Sequence, residues 1–265
     1  MIRIGTSGYS YDDWLGHFYP PGTGRADYLS YYSQHFDTCE INFSYYRMPT
    51  AQTLGRMLET SAGRVTFTIK LPRTITHDRA SDLTEQLTQF TAALAPWREA
   101  HVLGGVLAQL PHGFGPDPRS RAYLDAVLDG LRPLPTVVEF RNARWIRQET
   151  FAHLTAKGIG MCCVDEPDLK GLLPRLGVVT APPGYVRFHG RNRDKWYDHE
   201  QAYERYDYRY GDDELEEWVP RIQRMSERSS DVYVFFNNHF QAKAISGAKR
   251  LQELLAGPGP GPGHA

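Results

Sequence analysis

Residues 136–165 read TVVEFRNARWIRQETFAHLTAKGIGMCCVD, and this stretch decides the fold. It opens with the β-type run Thr136–Arg141 and closes with a second run, Met161–Asp165. Between them, Glu149–Lys157 has a helical pattern and is followed by Gly158, a residue favoured just after a helix C-terminus. Strand, helix and strand within about 30 residues is typical of a βαβ unit.

The same unit recurs along the whole chain. The first and last β-type runs start at residues 2 and 232, so the seven intervals average about 33 residues, near one βαβ step. The eight runs are Ile2–Thr6, Thr38–Asn42, Val65–Lys70, Leu103–Gln109, Thr136–Arg141, Met161–Asp165, Tyr185–His189 and Val232–Asn237. The helical patterns between and after them are Asp27–His35, Ala51–Ser61, Leu83–Leu94, Arg119–Leu131, Glu149–Lys157, Asp212–Met225 and Ser246–Leu255. Within residues 212–225, Pro220 is expected to interrupt the helix.

This rhythm predicts an α/β fold, a single (β/α)8 TIM-type barrel over residues 1–256. The length of 265 residues fits, since such barrels typically run to about 250 residues. The competing fold is a doubly wound open sheet, which usually carries a GxGxxG loop after its first strand. Here the first run continues into Gly5–Tyr9, GTSGY, which lacks that motif. Residues 257–265, GPGPGPGHA, are predicted to be a disordered tail.

Composition narrows the class of protein. Hydrophobic residues make up 41% and charged residues 23% of the chain, which excludes a disordered, collagenous or coiled-coil protein. The formal net charge of -1 gives no overall attraction to nucleic acid or an anionic membrane. Three cysteines are too few for a disulfide framework. With neither a secretory signal nor a transmembrane stretch, we expect a cytoplasmic protein without membrane contact.

Polar residues cluster at the ends of the predicted strands, where a barrel of this type builds its site. The two-residue period of a strand places Glu40 with Asn42, and Glu139 with Arg141, on common faces. The same period aligns residues 187, 189 and 191 on one face. The residues of opposite parity are apolar and should face the surrounding helices. The polar sets should therefore point into the barrel mouth.

Glu40 and Glu139 are the acid/base candidates, with Asp165 in support, because two carboxylates across a barrel mouth suit acid/base or hydrolytic chemistry. A purely structural role, in buried pairs with Arg47, Arg141 or Arg187, stays open. The expected ligand is small and anionic or contains a sugar. Its anionic groups would meet Lys70, Arg141, Arg187, His189 and Arg191, its polar groups Asn42, Asn237 and Asn238, and its ring Trp196 and Tyr197.

Several alternatives remain open at this stage. No cofactor is expected, although carboxylates and His189 could ligate a divalent metal ion. A metal-dependent phosphodiesterase or nuclease would use the basic loop 187–197 to hold a phosphate backbone. A third possibility is a non-catalytic module that binds nucleic acid or a metabolite. Lys70 would form a Schiff base if it were desolvated, but a lone lysine at a strand end is more typical of an ion-pair partner.

Eight motifs in order resemble domain-of-unknown-function family 72 (DUF72), also called YecE-like. They are Ile4–Tyr9 with Trp14 and Phe18–Pro20, Glu40–Asn42 through Tyr46–Arg47, Lys70 with Thr76–His77, Gln109–Pro111, Glu139–Arg141 with Trp145, Val164–Asp165, Arg187–Arg191 with Trp196–Tyr197, and Phe235–Asn238. The resemblance implies a (β/α)8 barrel and adds Tyr46, Arg47 and His77 to the expected ligand-binding residues. It implies no particular reaction, so a hydrolase stays a hypothesis.

Overall fold

The computed structural model describes residues 1–79, 81–201 and 203–257, which fold as one closed parallel barrel. Each strand pairs with the next in chain order, and β1 pairs with β8 to close the ring, for example Ile4 with Val234. The strands are β1 Ile2–Ser7, β2 Thr38–Ile41, β3 Thr66–Lys70, β4 Leu103–Gln109, β5 Thr136–Glu139, β6 Gly160–Asp165, β7 Gly184–Phe188 and β8 Val232–Phe236. The predicted (β/α)8 barrel is confirmed.

Helices cover the outside of the barrel. They are α1 Tyr28–Tyr32, α2 Ala51–Thr60, α3 Arg73–Thr76, α4 Leu83–Ala93, α5 Ala95–Glu99, α6 Pro118–Gly130, α7 Gln148–Lys157, α8 Asp212–Glu216, α9 Val219–Ser226 and α10 Lys243–Ala256. Residues 166–183, all of them described, cross from β6 to β7 without a helix. The predicted helix over 212–225 is divided as expected, with Pro220 in the first turn of α9.

Local sequence explains where several helices begin and end. The Thr50 hydroxyl accepts the backbone N–H of Thr53 at 3.1 Å and caps α2. The Asp117 carboxylate caps α6 in the same way, with Pro118 in the first turn. Gly158 ends α7 with φ +70°, a left-handed conformation that glycine adopts without steric cost.

Apolar packing between the barrel and its helices forms the main core. Aromatic pairs stack across this layer, such as Phe67 on Trp97 and Phe140 on Trp145, each with ring centroids 4.5 Å apart. Phe188 lies against Trp218 of the outer layer at 5.2 Å. The apolar parity expected for Phe140 and Phe188 is therefore confirmed, and the alternate residues of these strands are left to face the barrel axis.

The predicted disordered tail begins at Gly257, but residues 258–265 lie outside the described part of the chain. Among the helices that the structure describes, none has the length and apolar character needed to cross a membrane.

Candidate active site

A cavity of about 770 Å³ opens among the loops that follow the barrel strands. This is the end of the barrel where enzymes of this fold carry their sites. The lining residues are Gly8, Tyr9, Ser10, Tyr11, Ile41, Asn42, Phe43, Tyr45, Tyr46, Lys70, His77, Gln109, Pro111, His112, Arg141, Leu172, Arg187, Trp196, Tyr197, Arg205, Tyr206, Asn237 and His239. Its charged lining, within the ranges the structure describes, is cationic: Lys70, Arg141, Arg187 and Arg205.

Arg187 joins two buried glutamates across the barrel axis. Its Nη2 donates to Glu40 Oε1 and its Nη1 donates to Glu139 Oε2, each at 2.7 Å. Because β2, β5 and β7 are not neighbours in the barrel, these contacts pass through its interior. Tyr185, two residues before Arg187, donates its hydroxyl to the other oxygen of Glu40 at 2.7 Å. Neither glutamate lines the cavity, whereas Arg187 does.

Cationic and hydrogen-bonding side chains surround the Glu139 carboxylate. Besides Arg187, it pairs with Arg141 and accepts the Nε2–H of His189 at 3.2 Å. Burial alone would raise the pKa of Glu139, but the charges of the two arginines outweigh it and hold the pKa well below its usual value. The pKa of His189 falls to about 3, first because of burial and then because of Arg141. At neutral pH, Glu139 is therefore ionised and His189 neutral.

Lys70, at the end of β3, also lines the cavity. Its Nζ lies 4.1 Å from the centroid of the Tyr45 ring. No carboxylate of the described residues comes within 4 Å of this nitrogen, so the expectation of an ion-pair partner is wrong for the part of the chain described. Burial, and after it the charge of Arg187, lowers the pKa of Lys70 to about 7. An amine with this pKa can give or take a proton at neutral pH.

Aromatic rings form much of the remaining wall. Tyr11 stacks on His239 with centroids 4.5 Å apart, and the edge of His77 meets Tyr45 at 5.1 Å. Burial, together with the charge of Lys70, lowers the pKa of His77 to about 4. Trp196 is buried and Tyr197 is exposed, and both line the cavity. A neutral, ring-lined wall beside a cationic floor suits a ligand with an anionic group and a flat or sugar ring.

The structure places Asp165 outside the mouth, which corrects the expectation that it supports catalysis there. Its carboxylate accepts hydrogen bonds from Tyr210 and Trp218 at 2.7 Å each and from Arg191 at 2.7–3.1 Å. Asp165 has the parity of Cys163, whose sulfur contacts the Val178 backbone outside the barrel. Arg191 is bound to this carboxylate and to Glu217, so it does not line the cavity either.

The remaining predicted residues divide into two groups. Asn42, Tyr46, Lys70, His77, Arg141, Arg187, Trp196, Tyr197 and Asn237 meet around the cavity as expected. Asn238 has the opposite parity to Asn237, and its side chain donates instead to the Tyr208 carbonyl at 2.8 Å. Arg47 is exposed and lies over the ring of the lining residue Phe43, 5.1 Å from its centroid, but does not itself line the cavity.

Sequence reasoning missed several residues that the structure brings to the site. Tyr185 has the parity of Arg187, so the two-residue period could have found it. Arg205 and Tyr206 come from the long segment after β7 and carry no periodic signal. Glu166, buried 3.6 Å from Arg141, has a pKa that burial raises to about 7. Because Glu166 lies just beyond the end of β6, the two-residue period of the strand does not predict that its carboxylate lies beside Arg141.

No group of three or more histidine, cysteine, aspartate or glutamate side chains in the described ranges is arranged to hold a metal ion. The carboxylates near the mouth are already bound by guanidinium groups, as with Glu40 and Glu139 on Arg187. The expectation that no cofactor is needed stays untested.

Comparisons with known proteins agree with this architecture. The family described as "Protein of unknown function DUF72" matches residues 3–263. The UPF0759 protein YunF from Bacillus subtilis is 29% identical over 96% of this chain and 95% of its own length. A DUF72 family protein from Thermotoga maritima has 35% identity and a TM-score of 0.89, covering 97% of this chain and 99% of that one. One from Enterococcus faecalis has 26% identity and a TM-score of 0.86, covering 98% and 97%.

Proposed function

Because the chain belongs to the DUF72 family, whose description assigns no reaction, we propose its function from the chemistry of the barrel mouth. We propose an enzyme that performs acid/base chemistry on a small anionic substrate bearing a ring, such as a phosphorylated or carboxylated sugar. The observation that carries this proposal is the cavity lining, in which the charged groups of the described residues are cationic and the walls aromatic.

The cationic groups divide by whether they already have anionic partners. The charges of Arg141 and Arg187 are matched by Glu139 and Glu40 beneath them. Lys70 and Arg205 have no carboxylate of the described residues within 4 Å. The surface that a ligand meets therefore carries uncompensated positive charge. A bound phosphate or carboxylate would neutralise this charge, and Arg141 and Arg187 would donate hydrogen bonds to it from rigid strand ends.

Lys70 is the acid/base group of this proposal. A general acid or base works best with a pKa near the operating pH, and Lys70 meets that condition on the cavity wall. Glu40 and Glu139 were the candidates from the sequence, and their direct role stays to be tested by substitution with glutamine. Their geometry supports a positioning role, in which the two carboxylates fix the Arg187 guanidinium toward the ligand.

A nucleic-acid ligand receives less support from the basic loop. Arg187 and Arg191 are bound to carboxylates, and Lys195 pairs with Glu204 at 3.1 Å. These charges are already neutralised within the fold, so they add little to the field that a phosphate backbone would meet.

The test is ligand-induced stabilisation of the folded protein. Sugar phosphates, sugar acids and their neutral parent sugars are compared by thermal shift, and each hit is titrated calorimetrically. We expect the anionic compounds to raise the melting temperature and the neutral parents to leave it unchanged. Lys70→Gln removes one charge-assisted hydrogen bond, so the binding free energy should weaken by about 1.5–3 kcal/mol, at least tenfold in Kd.

The matched control is Lys249→Gln, which removes a lysine on α10 that is exposed and away from the cavity. It should leave the affinity unchanged. Equal binding of the neutral parents, or equal weakening by both substitutions, would contradict the proposal.

A further inference from the structure

The surroundings of Lys70 differ from those of Arg141 and Arg187 in the cavity and from those of three other lysines in the chain. Lys157 lies 2.9 Å from Asp129, Lys195 lies 3.1 Å from Glu204, and Lys243 pairs with Asp207. The carboxylates beside Lys157 and Lys195 raise the pKa of those two amines. Lys70 is half-buried at the end of β3, rests on the Tyr45 ring, and has no such partner among the described residues. It therefore presents a desolvated amine to a cavity large enough for a metabolite.

We propose that Lys70 forms a Schiff base with a substrate that carries both a carbonyl group and a phosphate or carboxylate. This inference rests on the proposed function, because it places the anionic group of the same ligand on the arginines. It adds the class of the reacting group, an aldehyde or ketone, and a covalent step at a named atom.

The amine must be uncharged to attack, and the cavity favours that state. Burial and the charge of Arg187 lower the pKa of Lys70 to about 7, so the neutral amine is well populated near pH 7. An ordinary lysine, with a pKa near 10.4, would be almost wholly protonated there. The two arginines repel the ammonium ion and attract the ligand's anion. The same charges therefore favour the neutral amine in the unliganded protein and also bind the ligand's anion.

The covalent step balances without any further reagent. The nitrogen lone pair of Lys70 forms a bond to the carbonyl carbon, and an amine proton passes to the oxygen to give a carbinolamine. The oxygen takes a second proton, supplied by solvent, and leaves as water. The product is an iminium ion in which carbon and nitrogen share a double bond. Hydrolysis reverses each step, so neither oxidant nor reductant is consumed.

The anion would lie close to the new bond. Arg141, Arg187 and Lys70 share the cavity wall, and Nε of Arg187 has no hydrogen-bond acceptor within the described residues. Its Nη1 and Nη2 already donate to Glu139 and Glu40, so the Nε–H is the group that would donate to an oxygen of a phosphate or carboxylate. Both anions fit this chemistry, so the probes include one of each.

The experiment traps the imine by reduction. The full chain is incubated at pH 7.5 with dihydroxyacetone phosphate, pyruvate or neutral dihydroxyacetone, with and without sodium borohydride, and is then mapped by peptide mass spectrometry. We expect an adduct at Lys70 equal to the probe minus one water plus two hydrogens, formed only when borohydride is present. At least one anionic probe should label Lys70 tenfold more than the neutral probe does. The more efficient anionic probe identifies the anion.

Lys70→Arg is the decisive variant, because it keeps the positive charge but cannot form an imine. It should lose the adduct while sugar phosphates still raise its melting temperature. Lys249→Arg is the matched control and should label like the wild type. Labelling spread evenly over exposed lysines, no adduct at Lys70, or equal labelling by the neutral probe would overturn the inference. The proposed function would survive any of these outcomes if anionic ligands still stabilise the protein, and it fails separately if they do not.

Discussion

Replacing Glu139 with glutamine tests whether the buried ion cluster holds the barrel together. The carboxylate is fully buried, accepts Arg187 Nη1 at 2.7 Å, and also contacts Arg141 and His189. Glutamine keeps the shape but removes the charge, so that among the carboxylates of the described residues Arg187 keeps only Glu40, and Arg141 keeps only Glu166 at 3.6 Å. Breaking a buried pair in this way costs about 3–5 kcal/mol. At about 2–4 °C per kcal/mol for a chain of this size, the melting temperature should fall by about 6–20 °C.

The control for this change is Glu253→Gln. Glu253 is exposed and pairs with Arg250 one helical turn away, so its loss should cost less than about 1 kcal/mol. Both variants are unfolded in urea at pH 7 and followed by circular dichroism. The reasoning is refuted if Glu139→Gln loses no more stability than Glu253→Gln. If it also abolishes turnover while the fold survives, the direct acid/base role expected from the sequence is restored.

The pH dependence gives a second check on the same residue. The pKa of Glu139 in the folded protein lies well below that of an ordinary glutamate. The unfolded chain therefore binds more protons than the folded one in the acid range, and the contribution of Glu139 to stability is complete above about pH 4.3. It is lost as the pH falls from there through the folded pKa. The stability difference between wild type and Glu139→Gln should shrink over that window, and a difference that stays constant would contradict this origin.

Three further predictions address the fold, the outer cluster and the lysine. Gly5→Ala should cost at least about 1–3 kcal/mol in urea unfolding, because the new Cβ would lie 2.2 Å from the Thr38 carbonyl oxygen. The Cβ of Gly55→Ala in α2 meets no packing neighbour among the described residues within 4 Å, so this change should stabilise by about 0.5–1 kcal/mol. Asp165→Asn should cost about 3 kcal/mol by leaving Arg191 short of a partner, yet leave anion affinity unchanged in calorimetry, since Asp165 lies outside the cavity. The pKa of Lys70 in the folded protein lies below the ordinary value of 10.5. Between pH 7 and 10.5 the unfolded chain therefore holds more protons than the folded one, and the free energy of unfolding should rise with pH. Lys70→Met should lack this rise in urea titrations across that range.

The sequence predicted the barrel because its signal is local and repeated. Strand runs such as Thr136–Arg141 and their spacing are visible in the residues alone. The two-residue period also predicts correctly that Glu139 and Arg187 point into the barrel. At the strand ends the same period gives Asp165 and Asn238 the outward parity, and both side chains point away from the barrel axis. An isolated polar residue just before a loop does not reveal its face until the strand register is known.

Pairing across the barrel was beyond the sequence for a different reason. Which carboxylate each guanidinium contacts depends on distances between strands that are far apart in the chain, such as the 2.7 Å from Arg187 to Glu40. The sequence therefore offered Glu40 and Glu139 either as catalytic groups or as members of buried pairs with Arg47, Arg141 or Arg187, and it offered Lys70 as a binder of anionic groups. The structure shows both glutamates bound to Arg187, and Lys70 without a carboxylate within the described residues. Arg205 and Tyr206 reach the cavity through the tertiary path of one long loop.

The titration of the Lys70 amine tests the central claim most directly, namely that the barrel mouth combines uncompensated positive charge with a reactive lysine. Lysines are dimethylated with ¹³C-formaldehyde, and their methyl signals are followed by NMR against pH, with Lys70→Arg assigning the signal. We predict a pKa of about 7 for Lys70, against values near 10.4 for exposed lysines. Addition of a sugar phosphate should raise it, because a bound anion favours the charged amine. A Lys70 signal that titrates with the exposed lysines, and does not respond to the phosphate, would contradict the account.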